Sequence, residues 1–380
     1  MKLHYPILNS IITALHKIIN ENFYSDKVLE YIFKSNKKLG KRDRQIIAET
    51  VYNIVRYYYL YQYLAKSNEI EEIVKTFFHY KDEQLDTSSI PDRIKLSFND
   101  DLWNEAIQQL GETKWIKEAT ALNQTAPLVI RANTLKISKQ ELQNKLLSVD
   151  IETYELPDVP EALVIANKKF LSQNEYFKSG YYEFQDASSQ KVAHFIPKDI
   201  LSRAKRIIDA CAGAGGKTLH LSALMKNQGQ IIAMDVEEKK LNELKKRATR
   251  AGCNNIQIKL IDSKKVIKRL ENSADILLID APCSGTGVIK RNPDTKIKFT
   301  SQHLNELIIL QKKILTEYNK MINPNGYLLY VTCSILPKEN EDQIQFFLSE
   351  NKNFELIKHQ TIFPSSGFDG FYMALLKKKA

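Results

Sequence analysis

The 380-residue chain has only four cysteines, Cys211, Cys253, Cys283 and Cys333, and no two of them form a CxxC pair. With no paired histidines near them, the sequence argues against a disulfide framework and against a zinc site. No metal is expected, and free thiols in a reducing compartment fit best. Long hydrophobic runs are also missing, since nothing approaches the ~18 apolar residues that span a bilayer. The opening stretch MKLHYPILNSIITALHKIIN is broken by His4, Asn9, Ser10, His16 and Lys17 at roughly helical spacing. That reads as an amphipathic helix and not as a signal peptide, so a soluble, cytoplasmic protein without membrane contact is expected. Glycine is nearly absent before residue 120, where apolar residues recur at helical spacing, as in RDRQIIAETVYNIVRYYYLYQYL. This region is expected to be helical. Acids are outnumbered by bases, 45 against 55, and the formal charge is +10. The excess suits a polyanionic partner, nucleic acid first, although moderate basicity also serves plain solubility.

The texture changes after NQTAPLVIRANTLK, where PLVIRANT reads as a strand followed by the helix SKQELQNKLLSV. From about residue 200, strands are expected at RIID, QIIAM, IQIKLI, ADILLID, GYLLYVT, FELIKH and FYMALLK. Charged helical stretches alternate with them, the pattern of a doubly wound α/β domain with a parallel sheet. RIIDACAGAGGKT places a strand, an acid, a loop holding Gly213, Gly215 and Gly216, and then a helix. Such a loop lets backbone approach a ligand and offers helix N–H groups to it. A phosphate-binding P-loop competes on the strength of GKT, but that pattern needs glycine five residues before Gly216, where Cys211 stands. Asp235 and Asp262 end the next two strands, where carboxylates can accept bonds from ribose hydroxyls and from an adenine amino group. The plainer alternative for either acid is a helix cap. With the loop they favour an adenosine cofactor.

Asp280 ends the fourth strand and opens DAPCSGTG, and Cys333 lies just past the fifth in GYLLYVTCSILPKEN. Neighbouring ends of a parallel sheet face one crevice, so two thiols and a carboxylate are expected to meet beside the cofactor. Any one cysteine could instead be a small buried hydrophobe, the plainer reading for Cys211 and Cys253. Chemistry favours a role for the others. An exocyclic amine brings its own nucleophile to a methyl donor, whereas carbon 5 of a pyrimidine becomes nucleophilic only after a thiolate adds to carbon 6.

The motifs DACAGAGGKT, DAPCSGTGVIKRNPD, YVTCSILPKENED, LVIRANTLK, FQDASSQ and FDGFYMALLKK resemble those of RNA (cytosine-5) methyltransferases of the RsmB/Sun type. The segment KRDRQIIAETVYNIVRYYYLYQYL is similar to the NusB-like helical RNA-binding domain that precedes the catalytic part in such proteins. The resemblance implies a Rossmann-like class I methyltransferase domain over 201–380. An all-α domain over 1–115 and a small α+β linking subdomain over 116–200 would precede it. It implies S-adenosyl-L-methionine as cofactor, lined by Cys211, Ala212, Gly213, Ala214, Gly215, Gly216 and Lys217, with Asp235, Asp262 and Asp280 completing the site. It further implies that Cys333 attacks the base, that Cys283 assists product release, and that Asp280 contacts the cytosine ring. The family's usual Ala-Pro in the loop is Gly213-Ala214 here. Lys290, Arg291, Lys296 and Lys298 follow the active-site loop, where phosphate contacts are expected, against the alternative of a solvated charge run. The implied substrate is RNA, small-subunit (16S) ribosomal RNA before tRNA, methylated by a monomer. A P-loop-like NTPase and a non-catalytic RNA-binding assembly factor are the readings from other classes.

Overall fold

The structure, a computed structural model, describes residues 4–81, 85–167 and 174–380. It divides into two compact units, the first formed by the chain up to Thr125 together with Val288–Leu304, the second by Ala126–Gly287 and Asn305–Ala380. Among the described residues, no helix is long and apolar enough to cross a membrane.

The first unit is helical, as glycine scarcity and apolar periodicity led one to expect. In the helix Tyr5–Ile19, Ile11, Leu15 and Ile18 are fully buried at helical spacing, and in Lys41–Arg56 so are Ile47, Val51 and Ile54. These form one core, each side chain contributing about 1.5–3 kcal/mol. The helix Glu112–Leu122 runs through the boundary expected at 115. Its Trp115 meets the Phe98 ring at 5.0 Å and the Trp103 ring at 6.0 Å, edge-on in both cases.

The segment 288–304 corrects the reading of its lysines. Lys296 is fully buried, and its ammonium donates to the carbonyls of Arg56 at 2.7 Å and Leu96 at 2.8 Å and to Asn123 Oδ1 at 2.6 Å, above the Phe98 ring. Three donors on three oxygens leave none for a phosphate. Lys290 is buried as well, and Arg56 donates to its carbonyl at 3.0 Å. Lys298 is half-buried and donates to Phe23 O and Asn22 Oδ1, while Arg291 is half-buried. As expected phosphate contacts, Lys290 and Lys296 are therefore withdrawn.

The second unit holds two sheets. β1 (Val129–Ala132), β2 (Thr153–Glu155), β3 (Ala162–Ile165) and β4 (Tyr182–Phe184) form an antiparallel sheet in the order β2-β3-β1-β4. Its helix Lys139–Leu147 begins at Ser138, whose hydroxyl takes the Glu141 N–H while the Glu141 carboxylate takes that of Ser138.

The larger sheet contains β5 (Arg206–Asp209), β6 (Gln230–Asp235), β7 (Ile256–Leu260), β8 (Ala274–Asp280), β9 (Ile322–Thr332), β10 (Phe354–Ile362) and β11 (Phe371–Lys378). Their order is β10-β11-β9-β8-β5-β6-β7. β5 to β9 pair in parallel, and apolar runs such as ILLI in β8 are buried on both faces, as a central strand covered by helices requires. The last strand departs from the all-parallel expectation, running against all the others. β11 is antiparallel to both β10 and β9, because residues 363–370 are too few for a crossover and can only close a hairpin.

Candidate active site

The parallel strands end on one edge, and the side chains of interest lie there. Asp209 ends β5 and the loop to the helix Gly216–Leu224 follows it. Gly215 is needed twice over: its φ is +87°, and a Cβ would sit 2.5 Å from Leu244 Cγ and 2.8 Å from Leu219 Cδ1. At Gly213, with φ +53°, the space is open, so a ligand can come up to the backbone. Asp235, at the end of β6, accepts the Gly213 N–H at 2.8 Å and the Glu237 N–H at 2.9 Å, which ties loop to strand end.

A cleft of about 480 Å³ opens here, lined by Cys211, Gly213, Asp235, Asp280 and Pro282, with Leu310, Ile314 and Tyr318 as an apolar wall. Its size and mixed lining suit a small cofactor. Open backbone at Gly213, a carboxylate at the strand end and apolar side chains opposite are what a nucleoside carrying a sulfonium side chain would meet. The residues present therefore fit S-adenosylmethionine. Asp262 is not part of the lining; it is exposed and its carboxylate accepts the Ser263 hydroxyl at 3.0 Å. The wall from the helix Ser301–Tyr318 carries no motif, and its one signal in the sequence is that Leu310, Ile314 and Tyr318 recur every four residues, on one face.

Lys217, whose GKT context allowed a phosphate-binding reading, points at Asp280, Nζ to Oδ2 2.6 Å. Burial alone would lower its pKa, but the Asp280 charge and hydrogen bond more than offset that, with Cys333 and Asp209 adding to them, so Lys217 is held protonated. The Cys283 and Cys333 Sγ atoms lie 3.3 Å apart. The two thiols expected to meet from neighbouring strand ends do meet. The hydrogen bond with Cys333, and burial after it, push the Cys283 pKa well above that of an ordinary thiol. Cys283 is thus held protonated. Cys211 is also raised, by burial first and then by the charges of Asp209, Asp280 and Asp235, which makes it an inert lining thiol.

The loop carrying Cys283 is clamped by Glu339, a fully buried residue that the motif reading left without a role. Its carboxylate accepts from the Ser284 N–H at 2.8 Å, the Ser284 hydroxyl at 2.5 Å and Gln311 Nε2 at 3.0 Å. On the other side, Gly287 donates to Cys333 O at 2.9 Å, linking the two cysteine segments through backbone. From the small sheet, the buried Arg131 donates to Gly216 O at 2.8 Å and to Gln185 Oε1. Burial lowers the Arg131 pKa to about 10, which leaves it charged at neutral pH.

Comparison with known proteins adds to this geometry. A family model described as 16S rRNA methyltransferase RsmB/F matches residues 200–377, and one described as an RsmF/B-like ferredoxin-like domain matches 101–170. The chain is 34% identical over 284 residues to the ribosomal RNA small subunit methyltransferase B of Klebsiella pneumoniae (strain 342), covering 72% of this chain and 64% of that protein. It is 31% identical over 344 residues to the probable ribosomal RNA small subunit methyltransferase B of Synechocystis sp., covering 83% and 76%. A methyltransferase homolog protein from Pyrococcus horikoshii superposes with a TM-score of 0.65 and 27% identity, over 77% of this chain and 100% of that one. The chain thus spans just under two thirds of the Klebsiella relative's length.

Proposed function

Because the chain belongs to the RsmB/F methyltransferase family, we propose that it methylates carbon 5 of a cytosine in RNA, with small-subunit ribosomal RNA as the substrate. The observation that carries this reading is the pair of thiols 3.3 Å apart beside an ion-paired lysine and aspartate at the ligand-binding edge of the sheet. Chemistry at an exocyclic amine would need neither thiol.

In the proposed mechanism Cys333 adds as thiolate to carbon 6 of an unpaired or flipped cytosine, which turns carbon 5 into an enamine carbon. Asp280, oriented by Lys217, contacts the ring edge and stabilises the adduct. The Cys211 to Lys217 loop and Asp235 would hold S-adenosylmethionine, which would supply the electrophilic methyl group to carbon 5 and leave as the thioether. Loss of the carbon 5 proton to a base then permits β-elimination, which breaks the carbon–sulfur bond and regenerates Cys333. Cys283, kept protonated next to Cys333, assists that release.

The test is asymmetric. Cys333→Ala should abolish transfer of tritiated methyl groups to RNA, and Cys283→Ala should accumulate a protein–RNA adduct that survives a denaturing gel. Normal turnover by Cys333→Ala would refute the assignment. Bisulfite sequencing of RNA from a deletion strain should show a lost 5-methylcytosine in small-subunit ribosomal RNA; a loss in tRNA instead would move the substrate.

A further inference from the structure

Away from the cysteine pair, three side chains from separate elements of the α/β unit converge. Glu161 precedes β3, His194 ends the helix Ala187–His194, and His220 lies in the helix Gly216–Leu224. One ligand atom of each lies within 4.8 Å of the other two. Glu161 Oε2 is 2.6 Å from His194 Nε2 and 3.4 Å from His220 Nε2.

His220 is the anomaly. It is 1% exposed, and neither ring nitrogen has a hydrogen-bond partner. A buried imidazole without partners is unfavourable, and such groups are rare in folded proteins. A neutral imidazole and an ionised carboxylate are the forms that bind metal.

We propose that Glu161, His194 and His220 form a binding site for a divalent transition ion of the zinc class, with a fourth position open to water beside His194. Ligand atoms bonded at ~2.1 Å to a tetrahedral centre lie ~3.4 Å apart, which is the Glu161–His220 spacing. The closer His194 contact must open by roughly 0.8 Å on binding. Its side chain, 22% exposed, has room to do so and provides the entry path. Two imidazoles and one carboxylate select zinc-like ions over magnesium or calcium, which take oxygen ligands. Positions 161, 194 and 220 contain no short ligand pair, so no zinc signal is legible from spacing. A bound ion would pin the helix that begins at the cofactor loop, since His220 follows Lys217 by about one turn.

The full-length chain, stripped with a chelator, should bind one equivalent of Zn²⁺ by calorimetry, and its thermal midpoint should rise with Zn²⁺. With Co²⁺ it should show a visible d–d band without a sulfur-to-metal charge-transfer band. His194→Ala, at a partly exposed position, should keep the wild-type circular dichroism and lose the Zn²⁺-dependent rise. Glu161→Gln should weaken binding by about tenfold or more. The Cys283→Ser, Cys333→Ser double variant should bind like wild type. The proposal is overturned by absence of stoichiometric binding, by His194→Ala binding normally, or by a charge-transfer band that vanishes in the double cysteine variant.

Discussion

Asp209 offers a quantitative handle on how the cofactor loop is held. It is 1% exposed, its Oδ2 accepts the Thr218 hydroxyl at 2.6 Å, and its Oδ1 has no hydrogen-bond partner. Burial raises its pKa from 3.8 to about 7, with the Asp280 charge adding to the rise and the Thr218 hydrogen bond opposing it. The folded state therefore holds this proton more tightly than the unfolded chain. The resulting stabilisation is complete below about pH 4 and is lost as pH climbs through about 7. At ~1.4 kcal/mol per pH unit, the contribution is about 4 kcal/mol. Asp209→Asn removes the titrating group and leaves a carboxamide of the same shape, whose own misfit adds an offset that does not change with pH. Urea unfolding of both proteins from about pH 4 to about pH 8 should show the variant gaining on the wild type by up to about 4 kcal/mol across that window. A stability difference that stays flat, or that moves toward the wild type as pH rises, would refute the reasoning.

The other expectations are simpler. Asp235→Asn keeps one acceptor oxygen where two now hold Gly213 and Glu237, so binding of S-adenosylhomocysteine by calorimetry should weaken by roughly tenfold or more, the worth of a charge-assisted hydrogen bond. Gly287→Ala would put a Cβ 2.3 Å from Gly370 O and 2.8 Å from Cys333 O. The backbone at Cys333 must then shift, at a cost of about 1–3 kcal/mol in stability, and methyl transfer should fall by far more than the drop in folded population measured by thermal melts.

The strands of the large sheet were legible because each is a short apolar run closed by an acid or a turn, as ADILLID and RIID illustrate. The meeting of Cys283 and Cys333 was legible for the same reason: adjacent parallel strands deliver their ends to one edge. What stayed hidden depends on distant partners. Lys296 reads as part of a solvated charge run, and only the oxygens of residues 56, 96 and 123 turn it into an interior group. Asp262 obeys the strand-end rule, yet β7 is the edge strand and its end lies outside the cleft lining. The antiparallel hairpin at the end could have been read from the eight residues between its strands, a separation that outweighs the apolar pattern shared with the parallel ones.

The helical unit is discontinuous in the chain, and this bears on its birth at the ribosome. Residues up to Thr125 emerge with three inward-facing oxygens whose cationic plug, Lys296, has yet to be translated. About 170 further residues must be added first, a wait of roughly 10–30 s at ordinary rates of elongation. Through that interval the nascent helices hold an unfilled polar socket. Chaperone occupancy on stalled nascent chains should therefore persist until codon 296 has been passed, and drop soon after.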